Sequence, residues 1–184
     1  MFVTGERVRL RAMEPEDAEA LWRWNHDPEV MRWMDAGYAQ PLARVRAWLQ
    51  ERPRNGYDDV LFGIEAPADP GAGGAGGGRR LVGLVRLSGA APEIGCADLD
   101  IYLGEKEYWG RGLATDAVRA ACRYGFEAMR LHKVTLTVVV ENEAALSVYR
   151  KVGFVEEGRL REVFRRDGRW LDKYTMGLLE GELK

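Results

Sequence analysis

Apolar and polar positions alternate along several short stretches of the chain, a pattern typical of β-strands that bury one face. This alternation predicts strands over residues 6–11 and 97–103. Short apolar and β-branched runs predict further strands over residues 60–66, 81–87 and 133–140, and the segments 159–165 and 170–176 are predicted to form a hairpin. The segment 133–140 is β-branched with almost no polar interruption, so we expect it to be buried on both faces. Asp167-Gly168, between the last two segments, is typical of a tight hairpin turn.

Elsewhere, apolar residues recur at spacings of three and four, which is typical of helices with one buried face. This spacing predicts helices over residues 15–27, 42–51, 112–129 and 143–151. Asn142 is a suitable N-cap for the last of these, and Gly153 a suitable end. The order of strands and helices predicts a mixed α/β sheet in a single domain over residues 1–184.

A glycine-rich segment, PGAGGAGGGRR, joins the strands predicted at 60–66 and 81–87. Gly71, Gly73 and Gly76 match the dinucleotide-binding pattern G-x-G-x-x-G. That site needs a helix to begin inside the motif, so that helix N-terminal amides meet the pyrophosphate. A strand pattern follows here instead, so we interpret the segment as the flexible loop of a long hairpin.

Charge and composition exclude several classes of protein. The 184 residues include 27 basic and 29 acidic side chains, a net charge of −2 that gives no reason to expect nucleic acid or membrane as a partner. No segment approaches the roughly 18 apolar residues of a membrane helix, and charges interrupt the first twenty residues where a signal peptide would be apolar. Two cysteines and two isolated histidines predict neither a disulfide framework nor a metal site. We therefore expect a cytoplasmic protein with reduced thiols.

The segment most informative about chemistry is a turn between a strand that ends at Leu103 and a helix that begins near Gly112. Gly110-x-Gly112 removes side chains where backbone amides would converge, and the helix N-terminus adds partial positive charge. Such a turn suits an anion. Because it lacks the Lys-Ser/Thr ending of a P-loop, a pyrophosphate bound without metal is the natural ligand. The glycines alone are equally compatible with a tight turn that binds nothing.

Two motifs make the pattern specific. Glu107–Gly112 (EYWGRG) is similar to the Gln/Arg-x-x-Gly-x-Gly/Ala pattern of the GCN5-related N-acetyltransferases, with Glu107 in place of Gln or Arg. Asn142–Phe154 (NEAALSVYRKVGF) is similar to the N-x-x-A-x-x-x-Y-x-K-x-G-F signature of the same family. The chain resembles the RimJ/RimL-like branch of that family over roughly residues 6 to 180.

The resemblance implies a mostly antiparallel sheet of six to seven strands, flanked by helices. Its central parallel pair, here 97–103 and 133–140, splays apart at a bulge and opens a V-shaped cleft. Acetyl-CoA would lie in that cleft as cosubstrate, without a metal. The implied coenzyme-binding residues are Ile101, Tyr102 and Leu103 along the pantetheine arm, Trp109, Gly110, Arg111, Gly112, Leu113 and Ala114 at the pyrophosphate, and Asn142.

Acetyl transfer to an amine needs two proton transfers, because the ammonium must be deprotonated and the departing thiolate benefits from an acid. Tyr149 matches the signature tyrosine and is the candidate acid, although a core aromatic on the short helix is the alternative. Asp98, Asp100 and Glu162 are candidate bases. Either aspartate could equally be a solvated residue on an exposed strand face.

Two functions are compatible with these features. The first is an N-acetyltransferase that moves the acetyl group to a primary amine by direct attack in a ternary complex, since no cysteine is positioned as a nucleophile. The second is a catalytically silent module that binds acyl-CoA as a sensor or scaffold. The expected partners are an amine acceptor, either a ribosomal protein N-terminus, a polyamine or another small amine, and, as one option, a second copy of the chain. Trp24 and Trp33 are candidates for the wall of an acceptor pocket.

Overall fold

The computed structural model describes residues 2–35, 39–52, 55–69 and 78–184. These ranges contain one sheet of eight strands in the order β1-β2-β3-β4-β5-β6-β8-β7. The strands are β1 (Phe2–Thr4), β2 (Arg9–Ala12), β3 (Asp59–Pro67), β4 (Arg79–Ser88), β5 (Cys96–Leu103), β6 (Lys133–Val139), β7 (Val155–Arg166) and β8 (Arg169–Leu179). All neighbours pair antiparallel except β5 and β6, which are parallel.

Four α-helices flank the sheet: α1 (Ala18–Asn25), α2 (Leu42–Glu51), α3 (Leu113–Glu127) and α4 (Glu143–Val152). Helix α4 begins at Asn142, whose side chain accepts a hydrogen bond from the Ala145 amide at 3.2 Å, and it ends at Gly153 with φ 118°. These are the predicted cap and stop. Within the described ranges, no helix combines the length and apolar composition needed to cross a bilayer.

The predicted mixed, mostly antiparallel sheet with a central parallel pair is confirmed. One strand more is present than expected, because the short β1 pairs with β2 at the sheet edge. The strand predicted over 6–11 is in fact a turn followed by β2. The hairpin formed by β3 and β4 is confirmed through the pairing of Pro67 with Arg79, whereas Gly71, Gly73 and Gly76 of its loop lie outside the described residues.

The two faces of the sheet carry different cores. Helices α3 and α4 cover one face, where Phe62 and Ile64 of β3 are buried with the small-residue side of α3. Helices α1 and α2 cover the other face, where Leu61 of β3 and Leu84 of β4 are buried. Because side chains alternate along a strand, β3 is buried on both faces.

The strand β6 differs from its prediction. Its burial alternates, and Thr137 is exposed, so the expectation that this strand is buried on both faces was wrong. The reason is the geometry of the parallel pair. Only three residue pairs join β5 to β6, the last being Asp98 with Thr135, and beyond them no pairing continues. The strands part there, and Thr137 faces the resulting opening.

A buried carboxylate attaches the N-terminal turn to α3. Asp116 accepts hydrogen bonds from the backbone amides of Glu6 at 3.0 Å, Arg7 at 2.7 Å and Val8 at 2.9 Å. It is 4% exposed, and a Cβ on Gly5 would lie 2.5 Å from its carboxylate. A turn that sequence periodicity had suggested to be a strand is therefore determined by one helix side chain.

We expect Asp116→Ala to lower the free energy of unfolding by about 2 to 4 kcal/mol, because it leaves backbone donors without an acceptor. Asp116→Asn retains one acceptor oxygen and should lose less. Urea denaturation of both variants measures the difference. Equal stability of the wild type and Asp116→Ala would contradict the anchoring role.

Candidate active site

Two pockets open where β5 and β6 part. The larger, about 580 Å³, extends from the C-terminal half of β5 to the start of α3 and along α4. We call it the coenzyme groove. The smaller, about 460 Å³, lies toward α2 and β8, and we call it the acceptor pocket. They share six lining residues at their junction: Trp33, Met34, Ile101, Asn142, Ala145 and Tyr149.

The turn before α3 has the conformation that an anion site requires. Gly110 has φ 71° and Gly112 has φ 75°, and a Cβ on either would meet no heavy atom within 4 Å. Glycine is needed here for its left-handed backbone, and the space beside it opens into the coenzyme groove. The first turn of α3 follows directly, so its free amides and dipole face the same space. All six residues from Trp109 to Ala114 line the groove.

Glu107, the departure from the family pattern, lies beside this turn rather than in it. Its carboxylate accepts a hydrogen bond from Arg80 at 3.0 Å, and its backbone carbonyl accepts one from Arg111 Nε at 2.9 Å. The side chain is not among the residues that line the groove. An acidic residue at this position therefore does not place a carboxylate against the anion.

The C-terminal half of β5 supplies the opposite wall. Ile101, Tyr102 and Leu103 line the coenzyme groove, and they lie beyond the last residue of β5 that pairs with β6. Their edge toward β6 is therefore available to an extended ligand. The Leu103 carbonyl is an exception, because it accepts a hydrogen bond from Trp109 Nε1 at 2.9 Å.

A second buried carboxylate fixes the start of this turn. Glu105 is 3% exposed and accepts hydrogen bonds from Arg23 at 2.6 Å, Trp24 Nε1 at 2.9 Å and Arg80 at 2.7 Å. Burial alone would raise the pKa of Glu105, but the hydrogen bonds from Arg23 and Trp24 and the neighbouring positive charges outweigh it and lower the pKa. The carboxylate therefore stays ionised and connects α1 to the turn.

Of the two tryptophans proposed for the acceptor side, only one lies there. Trp24 is 1% exposed, and a Cβ on Gly104 would lie 2.0 Å from its ring, so it belongs to the core between α1 and the turn. Trp33 lines both pockets and packs against a small cluster that includes Phe164 and Leu171. Trp48, on α2, also lines the acceptor pocket.

Tyr149 lies at the junction of the two pockets, where α4 faces the splay. Its side chain is nearly buried and its ring contacts Phe154 edge-on at 5.7 Å between centroids. Burial, with smaller contributions from Asp100 and Cys122, raises the pKa of the Tyr149 phenol well above its usual range. The hydroxyl therefore keeps its proton at any physiological pH.

Asp100 is the carboxylate that the fold brings near Tyr149. It lines the acceptor pocket with an exposed side chain, and partial desolvation by the surrounding protein raises its pKa, with Asp98 and Asp35 adding to the effect and Arg86 and Lys173 opposing it. In the part of the chain that the structure describes, the Asp100 carboxylate accepts no hydrogen bond, although its backbone pairs with Arg86 of β4. A carboxylate with a raised pKa and no hydrogen-bond donor is well suited to accept a proton.

The other candidate bases lie elsewhere. Asp98 accepts a short hydrogen bond from Thr135 at the last paired position of β5 and β6, and it lines neither pocket. Glu162 lies in an irregularity of β7 with φ 55°, where its amide donates to Asp172 at 2.8 Å. It lines neither pocket. Sequence position placed these carboxylates near the cleft, but strand pairing and a bulge direct them away from it.

Three charged residues of the acceptor pocket were not predicted from the sequence: Asp35, Arg86 and Lys173. Arg86 had a detectable signal, since it is the one charge inside the apolar run Leu81–Leu87. Asp35 and Lys173 had none, because they are 138 residues apart and meet only through the fold, at 2.9 Å. Over the described residues, no three His, Cys, Asp or Glu side chains converge as metal ligands.

Comparison with known proteins identifies the architecture. The sequence profile of the Acetyltransferase (GNAT) domain matches residues 7–155. The chain belongs to this acetyltransferase family. It is 29% identical to the uncharacterized N-acetyltransferase p20 of Bacillus licheniformis, over 96% of this chain and 95% of that protein. It is also 29% identical to spermidine N(1)-acetyltransferase of Escherichia coli K12, over 94% of this chain and 86% of the relative.

A solved GNAT structure has the same fold across nearly all of the chain. Spermidine N-acetyltransferase from Vibrio cholerae, in complex with CoA and spermine, superimposes with a TM-score of 0.83 at 27% identity, covering 96% of this chain and 97% of that one. The prediction of an acetyl-CoA-dependent N-acetyltransferase is confirmed. The RimJ/RimL-like branch within the family stays a prediction.

The turn geometry leads to a test of coenzyme binding. A left-handed backbone costs a non-glycine residue about 1 to 2 kcal/mol, and a Cβ at Gly110 or Gly112 would enter the groove. We expect Gly112→Ala to weaken CoA binding roughly tenfold or more, measured by calorimetry and by the CoA-dependent rise in Tm.

The matched control is Gly168→Ala. Gly168 has φ 77° and equally open surroundings, but it lies at the β7–β8 hairpin turn and lines neither pocket. It should incur a similar backbone cost and leave CoA affinity unchanged. Equal CoA affinity in Gly112→Ala and Gly168→Ala would show that the coenzyme groove is wrongly assigned.

Proposed function

We propose that the chain acetylates a small primary amine by direct attack in a ternary complex, with Asp100 as the proton acceptor for the amine and Tyr149 as the proton donor to the thiolate. The observation that carries this proposal is the junction of the two pockets, where Tyr149 lines both pockets and Asp100 lines the acceptor pocket next to the shared residue Ile101. Acetyl-CoA, as substrate, would reach the junction through the coenzyme groove, and the amine would reach it through the acceptor pocket.

The charge states of the two groups fit their roles. An alkylamine near neutral pH is mostly ammonium, and it must lose a proton before its nitrogen attacks the thioester carbonyl. Asp100 accepts that proton as the C–N bond forms. When the C–S bond breaks, Tyr149 donates its proton to the departing sulfur. Because the pKa of Tyr149 is raised, the phenol remains protonated in the resting enzyme. Its proton is therefore available when negative charge develops on the sulfur.

Direct transfer is favoured over an acyl-enzyme by the state of the cysteines. Cys122 is fully buried on α3, and burial raises the pKa of its thiol well above its usual range. A thiolate nucleophile would need the opposite environment. Cys96 lies at the start of β5, on the paired side of the splay, and lines neither pocket.

The size of the acceptor pocket supports a small amine. Its volume of about 460 Å³ is within the ordinary range for small-molecule sites. Two of the similar proteins bear the name of spermidine acetyltransferase, a small-amine activity. A ribosomal protein N-terminus stays an alternative acceptor, and a homodimer stays a prediction.

The proton-donor role of Tyr149 can be tested with Tyr149→Phe, which retains the ring and its contact with Phe154 but removes the hydroxyl. We expect kcat to fall about 10²- to 10⁴-fold, with CoA affinity and Tm nearly unchanged. Free-thiol release with a panel of amines, confirmed by product mass, measures it. Near-normal turnover would assign Tyr149 to the core, and no thiol release by the wild type with any amine would favour the binding-only module.

The proton-acceptor role of Asp100 has a pH signature. A base must be ionised, so kcat/KM should fall as pH decreases through the pKa of Asp100, which the surrounding protein raises above its usual value. We expect Asp100→Asn to lower kcat/KM and to abolish this decrease at low pH. The separate pH dependence that comes from deprotonation of the acceptor's ammonium group should remain. The matched control is Asp98→Asn, two residues away outside the pockets. If the low-pH decrease in kcat/KM persists in Asp100→Asn and disappears in Asp98→Asn, Asp98 rather than Asp100 is the proton acceptor.

A further inference from the structure

The acceptor pocket has an unusual charge pattern for a site that would take a polycation. Its lining contains two carboxylates, Asp35 and Asp100, and two cations, Arg86 and Lys173. A polyamine gains from carboxylates along its length and is repelled by cations. The pairing of these four groups therefore indicates which acceptor charges the pocket can accommodate.

Asp35 and Lys173 neutralise each other. Lys173 Nζ lies 2.9 Å from Asp35 Oδ2, and the Lys173 side chain is only 12% exposed. The pair joins Asp35, in the segment that follows α1, to Lys173 of β8. It contributes no net charge to the pocket, so it selects for neither an anion nor a cation.

Arg86 belongs to a triad with net charge +1. Its Nε and Nη2 donate to Asp59 at 2.7 and 3.0 Å, and Arg52 bonds the same carboxylate at 2.8 Å. Two guanidinium groups thus share one carboxylate. The Nη1 of Arg86 makes no hydrogen bond to the described part of the chain, so it remains a donor for a ligand.

Asp100 supplies the opposite charge next to Arg86. The two residues are direct partners in the β4–β5 register, so both side chains are on the same face of the sheet. Each affects the pKa of the other, but the hydrogen bonds of Arg86 go to Asp59 instead. This face of the pocket therefore presents one carboxylate and one net positive group on neighbouring strands.

The remaining walls are apolar. Leu61 and Leu84 lie beneath the charged pair on the same sheet face, and Trp33, Met34 and Trp48 surround it. The Trp48 ring is held by a contact with Arg52, 5.6 Å from its centroid. An aliphatic or aromatic group attached close to the charged groups of a ligand would be buried here.

We infer that the acceptor is a neutral α-amino acid with an apolar side chain, whose ammonium group meets Asp100 and whose carboxylate meets Arg86. This inference rests on the proposed function and specifies its substrate class. The amine and carboxylate of an α-amino acid are separated by one carbon, a spacing that suits two neighbouring groups on adjacent strands. Polyamines and peptide N-termini lack that carboxylate, so the net positive charge of the Arg86 triad would have no anionic partner on the substrate.

A matched set of acceptors tests the inference. L-leucine, L-leucinamide, 3-methylbutylamine and spermidine differ in the carboxylate or in the number of amines. With wild-type protein and acetyl-CoA, we expect kcat/KM to be highest for L-leucine and about 10- to 100-fold lower for 3-methylbutylamine, the effect of a lost charge-assisted contact. Calorimetric titration of the CoA complex with L-leucine and 3-methylbutylamine should give the same ranking, independently of turnover.

Substitutions of Arg86 test whether this residue causes the preference for a substrate carboxylate. We expect Arg86→Gln to lower the ratio of kcat/KM for L-leucine to that for 3-methylbutylamine roughly tenfold, and Arg86→Lys to restore part of it. The control is Arg123→Gln, on the distant face of α3 where Arg123 donates to the Thr4 carbonyl. It should leave the ratio unchanged. Preserved Tm in each variant confirms folding.

The outcomes separate this inference from the function on which it rests. Acetylation of spermidine or a peptide N-terminus in preference to L-leucine, or a ratio unaffected by Arg86→Gln, would overturn the amino-acid class while the acetyltransferase assignment stands. Absence of thiol release with every amine, despite a CoA-dependent rise in Tm, would instead contradict the proposed function.

Discussion

The interruption of one β-ladder is the constraint on which the rest of the structure depends. β5 and β6 share three paired positions and then part, which leaves backbone groups of β5 without strand partners in the middle of an eight-stranded sheet. Such groups are costly unless they are satisfied by a ligand, water or side chains. The Trp109 indole satisfies one of them, the Leu103 carbonyl. The others line the coenzyme groove, whose far end is the glycine turn, so the same break that weakens the sheet opens this groove.

Two buried carboxylates hold the elements beside this break in place through hydrogen bonds. Asp116 connects α3 to the turn at residues 6–8, and Glu105 connects the start of the glycine turn to α1. The depressed pKa of Glu105 means that its contribution to stability is present above the usual carboxyl range and is lost as pH falls through its lowered value. Both carboxylates lie outside the two pockets, and they hold α3, α1 and the glycine turn in fixed positions beside the break.

At the junction of the two pockets, environment determines which of several similar groups can take part in proton transfer. Asp98 and Asp100 are two residues apart on the same strand face, but the Asp98 carboxylate is bonded to Thr135 at the last paired position, whereas the Asp100 carboxylate lies beyond the break and accepts no hydrogen bond from the described residues. Two residues along β5 therefore distinguish a structural carboxylate from a candidate base. The neighbouring triad of Arg86, Asp59 and Arg52 adds a net positive charge beside the Asp100 carboxylate in the acceptor pocket.

The features that depend on local sequence were predictable: the apolar run of β4, the alternation of β5, the cap at Asn142, the Asp167-Gly168 turn and the two glycines before α3. Each requires only the steric or hydrogen-bonding character of a few adjacent residues. The choice among Asp98, Asp100 and Glu162, the burial of Trp24 and the pairing of Asp35 with Lys173 could not be predicted in this way. These depend on where a strand pairing ends, where a bulge lies and which distant elements meet. Tertiary structure decided them because burial and Coulomb interactions depend on distances in space, which one-dimensional periodicity does not contain.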